Sequence, residues 1–338
     1  MIDIKDTLFG LSKADSLGSI TEASDLAFKM LSEYAETERM SNLTVLGFLK
    51  GAADYTLMLD AHIDQIGMVV TNVDDNGFLT VSKAGGIDIR MLPSRRVTVH
   101  GKEKITAVFC STPPHLSSGE QEFSDISKIK LDTCLGEKAK EIVSVGDFVT
   151  FSAEPCTLLG DRVSGKSFDD RAAVACIIEI AKRLSGEKLP FNVAFVLSDS
   201  EELGMRGIRP ATFKITPNEA IALDVSFGDG IGISPEECGK LGEGGMIGIS
   251  PALDKAISKK LISLAKEKEI PYQLEAMGGM SGTNADMITV TKEGVRSCTL
   301  SIPLRNMHTD TEILDLKDLN AVCDLVCAYI LSGGVMNA

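Results

Sequence analysis

The stretch Asn192-Val193-Ala194-Phe195-Val196-Leu197-Ser198-Asp199-Ser200-Glu201-Glu202 sets the architecture of this chain. Residues 192–197 form an apolar run too short for a helix and rich in β-branched and aromatic side chains. Such a run reads as a strand buried on both faces. It passes directly into polar residues, two of them adjacent glutamates. The same texture recurs on either side. Residues 55–59 lead to Asp60-Ala61-His62, residues 220–223 lead to Asp224, and residues 297–302 precede Pro303-Leu304-Arg305-Asn306-Met307-His308. Helical faces lie between them: Val174, Ile177, Ile178, Ala181 and Leu184; Leu253, Ile257, Leu261 and Leu264; and a closing helix over 315–331 with Leu316, Leu319, Cys323, Val326 and Ile330 in one stripe. The start of the chain, as far as residue 36, also reads as helical, with Ala23, Leu26, Ala27, Met30 and Leu31 on one side. Strands alternating with helices predict an α/β fold, a mainly parallel sheet sandwiched by helices.

Residues 66–151 break this pattern. Short strands are expected over 67–73, 78–81, 96–100, 104–109 and 147–151, and Asp75-Asn76-Gly77 is a hairpin signal. The simplest organisation is one α/β domain from residues 1–66 plus 163–338, interrupted by an inserted small β-rich domain at 67–162.

Length and composition agree with two domains. The chain has 338 residues, 44% hydrophobic and 24% charged, as expected of a soluble globular protein. Its net charge of −14 argues against nucleic acid and anionic membranes as partners. It suits a cationic ligand such as a free amine, although acidic balance commonly serves solubility alone. No apolar run approaches the ~18 residues of a membrane span. The opening Met1-Ile2-Asp3-Ile4-Lys5-Asp6 lacks the basic and apolar regions of a signal peptide. The eight cysteines form no C-x-x-C, which predicts reduced thiols and a cytoplasmic location. Cys323 and Cys327 share a helical face, but Cys323 sits in an apolar stripe and reads as packing.

Four histidines and several acids carry the chemistry. His62 and His308 lie just past strands; His100 lies within an alternating strand, and His115 follows Pro113-Pro114. Asp169 and Asp170 open a helix, where acids are ordinarily caps. Yet His62, Glu201, Glu202, Asp224 and His308 all fall at C-terminal ends of predicted strands. In an open parallel sheet those ends converge on one crevice. Polar groups crowded there would repel one another and lose hydration, a conflict that multivalent cations resolve. Two imidazoles with three carboxylates (Asp169, Glu202, Asp224) match two divalent ions, with charge left over for an anion. A single ion would have surplus ligands, because catalytic zinc takes about three from the protein. A carboxylate such as Asp169 can bridge ions about 3.5–4 Å apart. Nitrogen and oxygen donors without thiolate favour Zn or Co over Mg.

Four motifs then place the chain. Asp60-Ala61-His62-Ile63-Asp64-Gln65-Ile66-Gly67, Gly165-Lys166-Ser167-Phe168-Asp169-Asp170-Arg171, Ser200-Glu201-Glu202-Leu203-Gly204-Met205-Arg206-Gly207 and Ile302-Pro303-Leu304-Arg305-Asn306-Met307-His308 resemble the glutamyl and deblocking aminopeptidase family. Its members are dinuclear metallopeptidases; several form hollow tetrahedral assemblies, and some carry an endoglucanase name. Gly85-Gly86-Ile87-Asp88 and Pro113-Pro114-His115-Leu116 match its insert, a dimerisation-type domain. The resemblance implies that His62 and Asp224 bind one metal, that Glu202 and His308 bind the other, and that Asp169 bridges them. It implies Glu201 as general base, Asp64 as the partner orienting His62, and a cis Asp169–Asp170 peptide. It further implies a homo-oligomer, such as a dodecamer built through the insert, acting on small peptides with a free N-terminus.

The chain departs from the family pattern at Gly282-Thr283-Asn284-Ala285, where Asn284 stands for a usual aspartate, and at Asn306, which stands for a usual tyrosine. Neither is a proposed ligand. Arg90 and the 227–245 loop, with Glu236, Glu237 and Glu243, are candidate substrate-pocket contributors, and that acidic loop is expected to disfavour acidic substrates. Two rival readings are a glycan hydrolase and a non-catalytic family member. Glycosidases separate their two carboxylates by about 5–9.5 Å across a sugar, whereas Glu201 and Glu202 are adjacent. Every proposed ligand and the base are present, which weighs against loss of catalysis.

Overall fold

The computed structural model describes residues 3–116 and 125–336. Its centre is an eight-stranded sheet in the order Glu36–Arg39, Val45–Leu49, Phe191–Ser198, Ala53–His62, Glu219–Phe227, Arg296–Leu304, Gly245–Ile249, Tyr272–Ala276. The four strands from Phe191–Ser198 to Arg296–Leu304 run parallel. Val45–Leu49 and Gly245–Ile249 pair antiparallel at either margin of that block. Side chains alternate between two cores. Leu57, Leu59 and Ala61 face the helices Ile4–Lys13, Glu22–Leu31, Phe168–Leu184, Lys255–Glu267 and Leu316–Leu331; Met58 faces Ile208–Ile215 and Ala285–Thr289. The fold is therefore α/β with helices on both faces, as the apolar runs predict.

Residues between Gly67 and Phe151 supply a closed six-stranded barrel with its own core, centred on Met68, Val70, Leu79, Val81, Val97 and Val99. Closure leaves no unpaired edge. The hairpin at Asp75-Asn76-Gly77 forms, with Gly77 at φ +84°; a Cβ there would meet Gly136 O at 2.1 Å.

Three features differ from the sequence reading. The N-terminal helical stretch is two helices, Ile4–Lys13 and Glu22–Leu31, parted by residues 14–21. The edge strands Glu36–Arg39 and Tyr272–Ala276 lack the apolar texture of the central ones, because sheet margins are only part-covered, while the apolar but short Val45–Leu49 and Gly245–Ile249 add antiparallel strands the sequence reading did not include. A small antiparallel sheet of Cys156–Thr157, Arg162–Gly165 and Glu312–Asp315 also forms, beside the entry to the Phe168–Leu184 helix. Among the described residues no helix is long and apolar enough to cross a membrane.

Candidate metal centre

The central strands deliver most of the chosen residues to one end of the sheet. His62 is the last residue of its strand, with Ser198 opposite in register on one flank. The chain leaving Ser198 turns at once and presents Glu201 and Glu202. On the other flank Ala222 pairs with Asp60, which sets Asp224 level with His62. Asp224 lies inside the strand Glu219–Phe227, not past its end, because the strand runs beyond the apolar run that marks it in sequence. Asp169 enters at the start of Phe168–Leu184, after Ser167 at φ +57°; Asp169 and Asp170 have non-helical backbone and are joined by a cis peptide. His308, at φ +62°, occupies the turn between Arg296–Leu304 and Glu312–Asp315.

These side chains meet. His62 Nε2 is 3.0 Å from Asp169 Oδ1, and His308 Nε2 is 3.2 Å from Asp169 Oδ2 and 3.3 Å from Glu202 Oε1. Two groups of potential ligand atoms result, each lying within 4.8 Å of one another: His62, Asp169 and Asp224, and Asp169, Glu202 and His308. Asp169 belongs to both. Glu201 belongs to neither, although its Oε2 is 4.0 Å from His62 Nε2. Gly85-Gly86 of the barrel lies against this cluster. A Cβ on Gly86 would stand 2.7 Å from His308 Nδ1, so the backbone there approaches as only glycine permits.

Acid dominates the cluster. Among the described residues no lysine or arginine pairs with Asp169, Glu201, Glu202 or Asp224. By themselves the side chains respond by holding protons. Burial, then repulsion from Asp169 and Glu201, pushes Asp224 well above the carboxylate range. Burial lifts Glu201 to about 7. Burial opposes a charge on His62 and on His308, but the facing carboxylates together outweigh it: Asp169, Asp64 and Glu201 raise His62 well above its usual value, and Asp169 and Glu202 raise His308 to about 11. Burial also opposes the charge on Asp169, and the two imidazoles outweigh it to hold that carboxyl low. Two imidazoles and three carboxylates converging with a surplus of negative charge form a donor set that fits divalent cations.

A ring of buried carboxylates holds the cluster. Asp64 Oδ1 stands 3.4 Å from His62 Nδ1, and Asp64 accepts the N–H groups of Glu201 at 2.9 Å and Glu202 at 3.2 Å. Asp170 accepts the His62 N–H at 3.1 Å. Glu312 accepts from Phe168 at 2.6 Å, Asp169 at 3.2 Å and His308 at 2.9 Å, all backbone N–H groups. Glu312 had no place in the sequence reading, and Asp170 appeared there only as a helix-opening acid joined to Asp169. Each reads there as a solvated helix or loop acid, and only burial below a few per cent exposure distinguishes them.

The other candidates lie elsewhere. Arg90 is turned onto Asp88 and largely exposed. Glu236 and Glu237, with Ser226, Phe227 and Glu275, line a cavity of about 250 Å³ next to the strand that carries Asp224. His100 bonds Thr150 Oγ1 in the barrel, and Cys323 packs against the Cys176 carbonyl inside the core.

Residues 44–325 match the family model of the M42 glutamyl aminopeptidases. The chain belongs to the M42 family. It is 30% identical to a lysyl aminopeptidase of Pyrococcus furiosus over 90% of each chain. Its fold matches an aminopeptidase from the archaeon Desulfurococcus kamchatkensis with a TM-score of 0.91 and 29% identity, over 97% of this chain and 94% of that one. It matches the Pyrococcus horikoshii TET1 peptidase, which can assemble into a tetrahedron or a large octahedral shell, with a TM-score of 0.87 and 27% identity, over 97% and 99%. As an M42 chain it is an aminopeptidase-type hydrolase, and its departures at Asn284 and Asn306 acquire local reasons. Asn284 donates its amide to Asp60 Oδ2 at 2.7 Å and Ser198 Oγ at 2.8 Å, beneath His62. Asn306 sits at φ +57°, a conformation asparagine tolerates far better than tyrosine.

Proposed function

We propose that this chain is a dinuclear metalloaminopeptidase that removes N-terminal residues from small peptides with a free N-terminus. The sharing of Asp169 between two ligand triads, with Glu201 beside both and in neither, carries this reading. His62 and Asp224 would hold one divalent ion, Glu202 and His308 the other, and Asp169 both. Zinc or cobalt bound there would supply positive charge that acidifies water and polarises the scissile carbonyl.

The rest is the work of the chain. Glu201 Oε2, 4.0 Å from His62 Nε2 and in neither ligand triad, takes the proton of the attacking water and later delivers it to the leaving nitrogen. Glu201 and Glu202 divide their tasks because Asp64 fixes both backbone N–H groups while the side chains diverge. Asp64 also orients His62, as metal-binding imidazoles require. The ligand carboxylates also hold the free α-amine of the peptide, which confines cleavage to the first bond. The acidic lining beside Asp224, from Glu236, Glu237 and Glu275, disfavours an acidic first residue.

The same reading assigns residues 1–66 plus 163–338 to catalysis and 67–162 to a dimerisation-type insert. The assembly of the TET1 peptidase supports a homo-oligomer, with the tetrahedral dodecamer as its closed form. The eight free cysteines support a cytoplasmic location. The test uses the full chain with aminoacyl anilides and their N-acetylated counterparts. Hydrolysis of the free amines alone, abolished by a chelator and restored by zinc or cobalt, is expected. Cleavage of blocked substrates or of β-glucans, or activity indifferent to chelation, would contradict it.

A further inference from the structure

Glu312 is buried to 1% exposure at the first position of Glu312–Asp315. Its carboxylate has no lysine or arginine within ion-pair distance among the described residues, and the buried Arg171 acts on it only from farther off. Instead, Oε2 accepts from Phe168 N and Asp169 N, and Oε1 accepts from His308 N. Burying a carboxylate without a cation is costly unless such donors compensate it. Here the donors belong to the two segments that carry Asp169 and His308, far apart in the chain. Neither segment sits in a regular ladder at that point. Ser167 and His308 have positive φ, and Asp169 and Asp170 are non-helical. Backbone pairs Gly165–Glu312 and Arg305–Ile313 bring the two segments together, and the Glu312 side chain extends that tie to Asp169 and His308 themselves and, through them, to the 3.2 Å approach of His308 Nε2 to Asp169 Oδ2. The opposite half of the centre is fixed by other means. His62 and Asp224 stand on paired strands, and Asp64 and Asp170 hold the His62 end.

We propose that Glu312 is a positioning residue for the second cation. Its loss would open the Asp169–Glu202–His308 half of the centre before the His62–Asp169–Asp224 half. This rests on the dinuclear reading above and assigns control of one of its two positions.

Glu312→Gln keeps the shape but presents an NH2 group to one set of backbone donors, either His308 or the Phe168–Asp169 pair. Glu312→Ala removes both acceptors. Full-length wild type and both variants are titrated with Co²⁺ by equilibrium dialysis, with visible absorption recorded at each point and unfolding followed in chelator. Wild type is expected to take two ions per chain. Glu312→Gln is expected to keep one and to bind the other about 10–100-fold more weakly, the loss typical of removing an orienting partner. Its spectrum at saturation of the first ion should be that of wild type at one equivalent. Two ions bound with wild-type affinity, whatever happens to the melting temperature, would overturn the assignment. So would equal weakening of both ions, or failure of both variants to fold, which would mark Glu312 as a residue of the fold alone. Fewer than two ions on wild type would refute the dinuclear reading itself, and with it this role.

Discussion

Asp64 Oδ1 stands 3.4 Å from His62 Nδ1, and the same carboxylate receives the N–H groups of Glu201 and Glu202. One side chain thus lies against the proposed imidazole ligand and holds the backbone of both the proposed carboxylate ligand and the proposed base. Asp64→Asn should cost more than a single broken contact, since its NH2 must oppose one of those donors. A loss of about 10–100-fold in metal affinity or turnover is expected. Cobalt dialysis and steady-state kinetics on one preparation check it, and unchanged values for both would contradict the role.

Glu201→Gln removes a proton acceptor that belongs to neither ligand triad. The variant should retain two ions and lose about 10²–10⁴-fold in kcat, the usual contribution of a general base. Metal analysis alongside kcat separates this from loss of ions. Near-wild-type turnover would remove Glu201 from the mechanism.

Proton uptake should govern the stability of the chelated chain. Burial lifts Asp60 and Glu201 to about 7 and Asp199 to about 6, while the facing carboxylates together outweigh burial to raise His62 and His308. Each raised group contributes stability that is fully present below its unfolded pKa, about 4 for the carboxyls and about 6.5 for histidine, and is lost as pH climbs through the folded value. His100 and Lys166, pushed down chiefly by burial, act in the opposite sense, but burial also raises Asp170, Asp224 and Glu312 and lifts Asp318 to about 6, so the raised groups prevail. In chelator the melting temperature should therefore be higher at pH 6 than at pH 8. Excess zinc should erase or reverse that order, because the ion replaces the protons. Calorimetry at both pH values checks it; a chelated chain more stable at pH 8 would contradict it.

Asn284→Asp would restore the aspartate usual in the family at a point 2.7 Å from Asp60 Oδ2. Two buried carboxylates at that distance cannot both ionise. The variant should lose about 1–3 kcal/mol at pH 8, as expected for a donor turned into a buried like charge, and much less near pH 5.5, where the pair can hold a proton. Thermal unfolding at the two pH values measures the difference; equal losses would contradict the argument.

The central strands and four of the five candidate ligands, His62, Glu202, Asp224 and His308, were legible because each lies on or just past an apolar run, and strand ends in a parallel sheet share a crevice; Asp169 opens a helix instead and stood out only through its motif. What supports them was not. Glu312 follows Met307-His308-Thr309-Asp310-Thr311 and looks like any loop acid, since its partners are backbone N–H groups of Phe168 and Asp169, remote in sequence and without side-chain signature. Asp170 is masked in the same way, reading as a helix-opening acid while it holds the His62 backbone. The strand Tyr272–Ala276 escaped because an edge strand is part-exposed and shows no buried run.

The most direct measurement is anomalous diffraction at the metal edge from crystals grown with zinc or cobalt. The account expects two peaks per chain about 3.5–4 Å apart, one touching His62 and Asp224, the other Glu202 and His308, with Asp169 touching both. A single peak at saturation, or peaks away from Asp169, would contradict it.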